Sequence, residues 1–279
     1  MNTQSNAIQR GTAGISQAFH RRRESGGKVL VPYIMAGDPD LDSTEKIVRA
    51  LSGIGADLIE LGMPFSDPLA DGPVIQRAGE RALRQGLTFK KLLQSVESMR
   101  LSVDTPILIM TYYNLFFRYG LEAFAQDAAR AGVDGVIVPD LPPEEADDLR
   151  AALDAQGLAL VYLIAPTSTD ARIRKIADAA RGFLYYISRT GVTGEQEDIA
   201  QDLTENIARI RALTDLPIVV GFGISTPEQA ETIAQYADGV VIGSAIVRLI
   251  EETTQMHDRV TAKFLRPFVE ALHGASAEA

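Results

Sequence analysis

Residues 57–61, Asp57-Leu58-Ile59-Glu60-Leu61, form a short run that after Asp57 is apolar except for one glutamate. Apolar residues on consecutive positions suit a strand buried on both faces, because a strand of an open antiparallel sheet alternates polar and apolar. Seven more runs of this kind recur along the chain: Val29 to Ile34, Ile107 to Tyr112, Gly135 to Val138, Leu158 to Ile164, Phe183 to Ile187, Ile218 to Gly221 and Gly239 to Ile242. Between them lie stretches with apolar residues three and four apart, among them Thr44 to Ile54, Leu121 to Ala131, Pro143 to Ala155, Leu203 to Leu213 and Pro227 to Tyr236. That spacing gives a helix one core-facing stripe. Eight strand-helix units in about 250 residues match an α/β protein of the closed (β/α)₈, or TIM, barrel type. The rival is an open doubly wound sheet. Against it, no strand leads into GxGxxG; Gly221-Phe222-Gly223 has the first half and continues Ile224-Ser225-Thr226. No linker or composition shift divides the chain, so a single domain is expected. It comprises a disordered extension over residues 1–14, the barrel over 15–273 and a frayed end over 274–279.

Composition bounds the function. The 279 residues carry 27 Lys plus Arg against 37 Asp plus Glu, for a formal charge of -10. An acidic surface repels phosphate backbones and argues against nucleic acid and anionic membranes as partners. The chain has no cysteine, which removes disulfides, thiolate nucleophiles and thiolate metal sites together. No apolar run approaches the roughly 18 to 20 residues that span a bilayer, and the start has no apolar signal core. A cytoplasmic protein is expected. Residues 1–23 contain no acid and several arginines, an echo of a transit sequence, but Ile15 to Arg23 also reads as a helix.

In a barrel of this kind, function sits at the carboxyl ends of the strands. The run at 57–61 leads there into Glu60-Leu61-Gly62-Met63-Pro64-Phe65-Ser66-Asp67-Pro68-Leu69-Ala70-Asp71-Gly72-Pro73, an acidic loop stiffened by three prolines. Glu60 lies within the apolar strand. Burial raises a carboxyl pKa and suits a general acid or base near neutrality. Asp71 adds a second carboxylate, and two such groups divide acid and base roles if their environments differ. Asp67 and Asp71 equally suit turns or the cap of a helix beginning near Pro73, and Glu60, Asp67 and Asp71 also suggest oxygen ligands for magnesium, although nothing nearby completes a shell. The three histidines, His20, His257 and His273, lie near the termini, so acid-base work falls to carboxylates. No metal site is assigned. After the seventh and eighth strands come Gly221-Phe222-Gly223 and Gly243-Ser244. Glycines there let backbone amides approach an anion, and a helix starting at Ser244 adds its positive end. The pair forms a phosphate cradle or two tight turns. Gly191-Val192-Thr193-Gly194 is either a third wall of that pocket or a flexible loop, and Arg189 meets either the phosphate or a surface carboxylate.

The acidic segment, together with Pro32-Tyr33-Ile34, Ala36-Gly37-Asp38-Pro39, Ser188-Arg189-Thr190-Gly191-Val192-Thr193-Gly194, Gly221-Phe222-Gly223-Ile224-Ser225 and Gly243-Ser244-Ala245-Ile246-Val247, resembles the tryptophan synthase alpha subunit family, in order from about residue 15 to 270. The resemblance implies a (β/α)₈ lyase that cleaves indole-3-glycerol phosphate to indole and glyceraldehyde 3-phosphate by retro-aldol chemistry. It places proton transfer on Glu60 and stabilisation of charge at the indole N–H on Asp71, with Tyr185 near the glutamate. Gly194, Gly223, Gly243 and Ser244 would hold the phosphate. Tyr33, Met110, Ile137, Leu163, Thr193, Phe222 and Val241 would line the indole slot. Tyr33 stands where some members have phenylalanine, and its hydroxyl needs a partner. The resemblance further implies a beta subunit in an alpha2-beta2 heterotetramer. Pyridoxal phosphate belongs to that partner, and this chain has no cofactor of its own. A free-standing indole-releasing lyase and a non-catalytic barrel that stabilises the beta subunit are the competing readings; retention of both Glu60 and Asp71 argues against the second.

Overall fold

The computed structural model describes residues 9–187, 196–221 and 223–274, with backbone alone over 196–202. Eight strands, β1 (Val29–Met35), β2 (Ile59–Gly62), β3 (Ile107–Met110), β4 (Gly135–Ile137), β5 (Ala159–Ile164), β6 (Leu184–Ile187), β7 (Ile218–Gly221) and β8 (Gly239–Ile242), close in sequence order into a barrel. Every neighbouring pair is parallel, and β8 returns to β1 through Val31 opposite Val241. All eight expected runs are strands, within two residues at either end.

Twelve helices are described. They are α1 (Gly11–Glu24), α2 (Leu41–Gly53), α3 (Pro73–Arg84), α4 (Phe89–Met99), α5 (Tyr113–Tyr119), α6 (Leu121–Ala131), α7 (Asp147–Ala155), α8 (Asp170–Ala179), α9 (Gln196–Arg211), α10 (Pro227–Ala234), α11 (Ser244–Glu252) and α12 (His257–His273). Several starts differ from expectation: α2 begins at Leu41 rather than Thr44 and α9 at Gln196 rather than Leu203. The stretch from Pro143 opens as a single 3₁₀ turn, Pro143–Glu145, before α7 begins. The helix expected from Ile15 starts at Gly11, because the Gly11 and Thr12 amides donate to Asp134 Oδ1 at 2.7 Å and to the Gly157 carbonyl at 2.9 Å.

The period-two pattern of the strands sorts side chains into two shells. Leu30, Ile34, Ile59, Leu61, Ile109, Leu160, Val220 and Ile242 face outward into the layer shared with the helices. Val31, Tyr33, Leu58, Leu108, Val161, Phe183, Val219 and Val241 face inward. Glu60 has the parity of Leu58, so the strand that carries it aims a carboxyl group into the barrel. The amino end is closed by α1, whose buried Ile15, Ala18 and Phe19 join the inner shell, with the rings of Phe19 and Phe183 5.6 Å apart.

Three aspartates organise that closed end. Asp57, Asp134 and Asp238 each accept from the first or second amide of the preceding strand, at Leu30, Ile107 and Ile218, at 2.8 to 3.0 Å. Arginines complete each carboxylate: Arg22 at 2.5 Å, Arg100 at 2.5 Å and Arg211 at 3.0 Å. His273, near the chain end, is buried and places Nε2 2.9 Å from Asp57 Oδ2. It therefore ties α12 to the start of β2, at the end of the barrel away from the carboxyl ends of the strands.

Candidate active site

The carboxyl ends of the strands surround a cavity of about 350 Å³. Glu60, Asp71, Tyr33, Met110, Leu163, Tyr185, Val241, Gly223, Gly243 and Ser244 all line it. Of the remaining expected residues, Ile137 is fully buried in the inner shell and is not part of the lining. Thr193, Gly194 and Phe222 lie outside the described residues, as do Arg189 and its neighbours.

Glu60 is fully buried, and neither carboxylate oxygen has a hydrogen-bond partner among the described residues. Removal from water disfavours its charged form, and the nearby Asp71 adds repulsion, so its pKa is pushed up to about 8. The group therefore keeps a proton near neutral pH. Tyr33 stands opposite Glu60 in the β1–β2 register. Tyr33 and Tyr185 are both held well above the usual phenol pKa by burial, with the carboxyl groups adding to the effect. Both phenols stay protonated and available as donors.

Asp71 sits at the end of the acidic loop. Burial raises its pKa, and hydrogen bonding from Tyr112 opposes the rise. Tyr112 had no role from sequence, yet it organises the loop: its hydroxyl accepts from the Ala70 amide at 2.9 Å and its ring lies 5.2 Å from that of Phe65. The alternative of Asp71 as a helix cap fails, since Gly72 is the N-cap of α3 and no side chain caps that end. Asp67 is exposed, accepts from the Ser66 hydroxyl at 2.9 Å and lies outside the cavity lining. Among the described residues no three His, Asp or Glu side chains converge as a metal site would require.

At the other side of the mouth, Gly223 adopts φ 72°, a conformation open mainly to glycine. Gly243 is the N-cap of α11 and no side chain caps this helix either. The Ser244 and Ala245 amides, the first two of α11, are thus open to an anion, whereas that of Ile246 donates to the Gly243 carbonyl at 2.9 Å. Helices α3 and α11, which bring the acidic loop and the glycine turn together, are clamped to each other. Arg77 and Arg81 of α3 both bond Glu251 of α11 at 2.8 Å, and Arg81 also grips the buried Asp38 after β1 with two bonds of 2.7 Å. Val74, Ile75, Ile187, Ile224 and Arg248 are also in the lining. None was expected. Ile187 precedes one quoted motif and Ile224 lies within another, but only the closed barrel shows which of these residues face the cavity.

The chain that carries this site has close counterparts among known proteins. The family model described as tryptophan synthase alpha chain matches residues 19–275. The tryptophan synthase alpha chain of Geotalea uraniireducens is 52% identical over 238 residues, covering 85% of this chain and 89% of the relative. That of Geobacter sulfurreducens is 49% identical over 259 residues, covering 92% and 98%. The crystal structure of tryptophan synthase subunit alpha from Legionella pneumophila superposes with a TM-score of 0.86 at 38% identity, covering 92% of this chain and 97% of that one. A match of this extent, in sequence and in backbone alike, means that the chain belongs to the tryptophan synthase alpha chain family.

Proposed function

We propose that Glu60 is the acid-base group and Asp71 the electrostatic stabiliser in the reaction of this family, the cleavage of indole-3-glycerol phosphate to indole and glyceraldehyde 3-phosphate in tryptophan biosynthesis. The reaction breaks the bond between indole C3 and the glycerol carbon that bears the adjacent hydroxyl. Glu60, holding its proton near neutral pH, gives it to C3, and the ring takes up positive charge at nitrogen. The resulting carboxylate then removes the proton of the adjacent hydroxyl. The O–H electrons become the aldehyde C=O, and the electrons of the breaking C–C bond restore the aromatic indole. One carboxyl group thus gives and regains one proton, and no co-reactant is consumed. Asp71, as an anion in a pocket poor in water, stabilises the positive ring by fixed electrostatics.

The indole lies against Tyr33, Met110, Leu163, Tyr185 and Val241, with Thr193 and Phe222 assigned to the same slot by family resemblance. Gly223, Gly243 and Ser244, with Gly194, receive the phosphate. The reading rests on one observation: Glu60 is a fully buried carboxyl with both oxygens unpartnered among the described residues, facing a cavity that also holds Asp71. Glu60→Gln should bind the substrate and release no indole. Full activity in that variant would refute the assignment.

The family also implies a beta subunit as partner. An alpha2-beta2 assembly is our reading, with pyridoxal phosphate on the beta subunit and none on this chain. Two exposed apolar side chains support docking at this mouth. Leu69 of the acidic loop is 95% exposed and Phe117 of α5 is 66% exposed. The loop and the start of α5 are joined through Tyr112, the N-cap of that helix. Among the described residues no helix is long and apolar enough to cross a membrane.

A further inference from the structure

The substrate is an anion, yet the protein carries a formal charge of -10 and its cavity contains two carboxyl groups. Glycine amides supply partial charges only, and a full cation at the phosphate end would offset the surrounding field. Among the described lining residues, Arg248 is the sole lysine or arginine. It lies four residues after Ser244 on α11, one turn along the same face. Helical side chains lean toward the amino end of their helix, so a long residue at this position covers the turn before it. For Arg248 that turn is the one whose amides are uncapped.

Its neighbours are occupied. Arg77 and Arg81 are tied to Glu251 and Asp38, whereas Arg248 forms no ion pair or hydrogen bond with any described residue. It is also exposed, so its guanidinium is not needed to hold the fold together. The same cavity contains Glu60, fully buried and unpartnered among the described residues, which marks it as built for a ligand.

We infer that Arg248 is a specificity residue whose guanidinium pairs with the substrate phosphate across the first turn of α11, selecting the phosphorylated substrate and drawing it into an acidic protein. This inference rests on the function proposed above. A guanidinium offers a planar fork of donors suited to two phosphate oxygens, and its charge acts on the substrate before contact.

The test compares wild type, Arg248→Gln and Arg248→Lys, each as the full chain with its beta subunit. Indole release is followed from indole-3-glycerol phosphate and from indole glycerol lacking the phosphate. In Arg248→Gln, KM for the phosphorylated substrate should rise about fivefold at low salt, the scale of a partly exposed charge-assisted contact. Its kcat should stay within about twofold, and Arg248→Lys should recover most of the loss. Binding of glycerol 3-phosphate should weaken in parallel, and added salt should narrow the gap between wild type and Arg248→Gln. An unchanged KM, or an equal loss with the phosphate-free substrate, would overturn the assignment. If wild type itself releases no indole, the proposed function fails instead, and the glycerol 3-phosphate measurement still reports on Arg248.

Discussion

The phenol of Tyr33 lies across Gly62: a Cβ at that glycine would stand 2.7 Å from ring carbon Cζ and closer still to the hydroxyl oxygen. The two residues sit on adjacent strands, and Glu60, two residues before Gly62, is the register partner of Tyr33. Glycine at 62 thus lets an aromatic ring fold over the strand that carries the buried carboxyl. Gly62→Ala should force the ring into the cavity. We expect a loss of about 1–3 kcal/mol from overpacking, read from urea denaturation, and a rise in KM for indole-3-glycerol phosphate. Combining Gly62→Ala with Tyr33→Leu should recover part of the stability. Wild-type stability in Gly62→Ala would show that the close approach is no constraint.

Glu60 makes stability depend on pH in a definite direction. Its folded-state pKa of about 8 stands above the ordinary value of 4.5, so between these limits the folded state binds more protons than the unfolded state. Stability therefore falls as pH rises through this window. Glu60→Gln has no such proton to lose. It should match wild type near pH 5 and exceed it by several kcal/mol at pH 9, as read from urea midpoints. Equal midpoints at both pH values would contradict the burial cost. In catalysis the protonated form acts first, so wild-type kcat/KM should decline above about pH 8.

Asp71 and Tyr112 should separate chemistry from binding. Asp71→Asn retains shape and removes the anion that faces the ring. A fall in kcat of about 100-fold or more is expected, the scale of losing one preorganised electrostatic group, with glycerol 3-phosphate binding nearly unchanged. Tyr112→Phe removes the acceptor for the Ala70 amide and the hydroxyl that faces Asp71. It should lower kcat by a smaller factor of about 10, because the loop loses one hydrogen bond of about 1 kcal/mol and Asp71 its alignment. A loss confined to substrate affinity in Asp71→Asn would make that residue a structural one.

Docking is read through Phe117, which is outside the cavity lining. Phe117→Ser should leave indole release by the isolated chain unchanged and reduce the increase produced by added beta subunit. Titration of the beta subunit against turnover measures this. An unaltered titration would remove the exposed ring from the interface.

The barrel was legible because its strands are short apolar runs whose order equals their spatial order, so counting them was sufficient. Glu60 was legible for a related reason: a charged residue inside such a run has nowhere to point except into the barrel or against its helices, and the structure, where it shares the parity of the inward Leu58, decides between them. Tyr112 and Arg248 were not legible. Each acts through a neighbour that sequence does not reveal, Tyr112 through the Ala70 amide 42 residues away and Arg248 through the cavity formed by several strand ends. His273 is a third instance. Read along the chain it is a histidine near the terminus, at the last residue assigned to the barrel, with no role, whereas the long α12 returns it to the start of β2, where Asp57 provides a buried acceptor.

Asp134 tests whether the closed end of the barrel is a matter of stability alone. Its carboxylate accepts from the Gly11 amide at 2.7 Å, the Ile107 amide at 2.8 Å and Arg100 at 2.5 Å, joining α1, β3 and α4. Burial nevertheless raises its pKa and lowers that of Arg100 to about 10, and in both residues desolvation outweighs their mutual attraction. The pair therefore specifies which groups meet more than it adds net stability. Asp134→Ala strands a largely buried guanidinium and two amides, and should cost about 3–5 kcal/mol in urea denaturation. Asp134→Asn keeps one acceptor and should cost less. The double variant Asp134→Asn/Arg100→Met should be milder than the sum of its single changes, because it removes both charges together. In every variant that remains folded, kcat for indole release should stay near wild type, since this cluster lies at the opposite end of the barrel from Glu60. A strong fall in kcat at undiminished stability would instead reveal coupling through the inner shell.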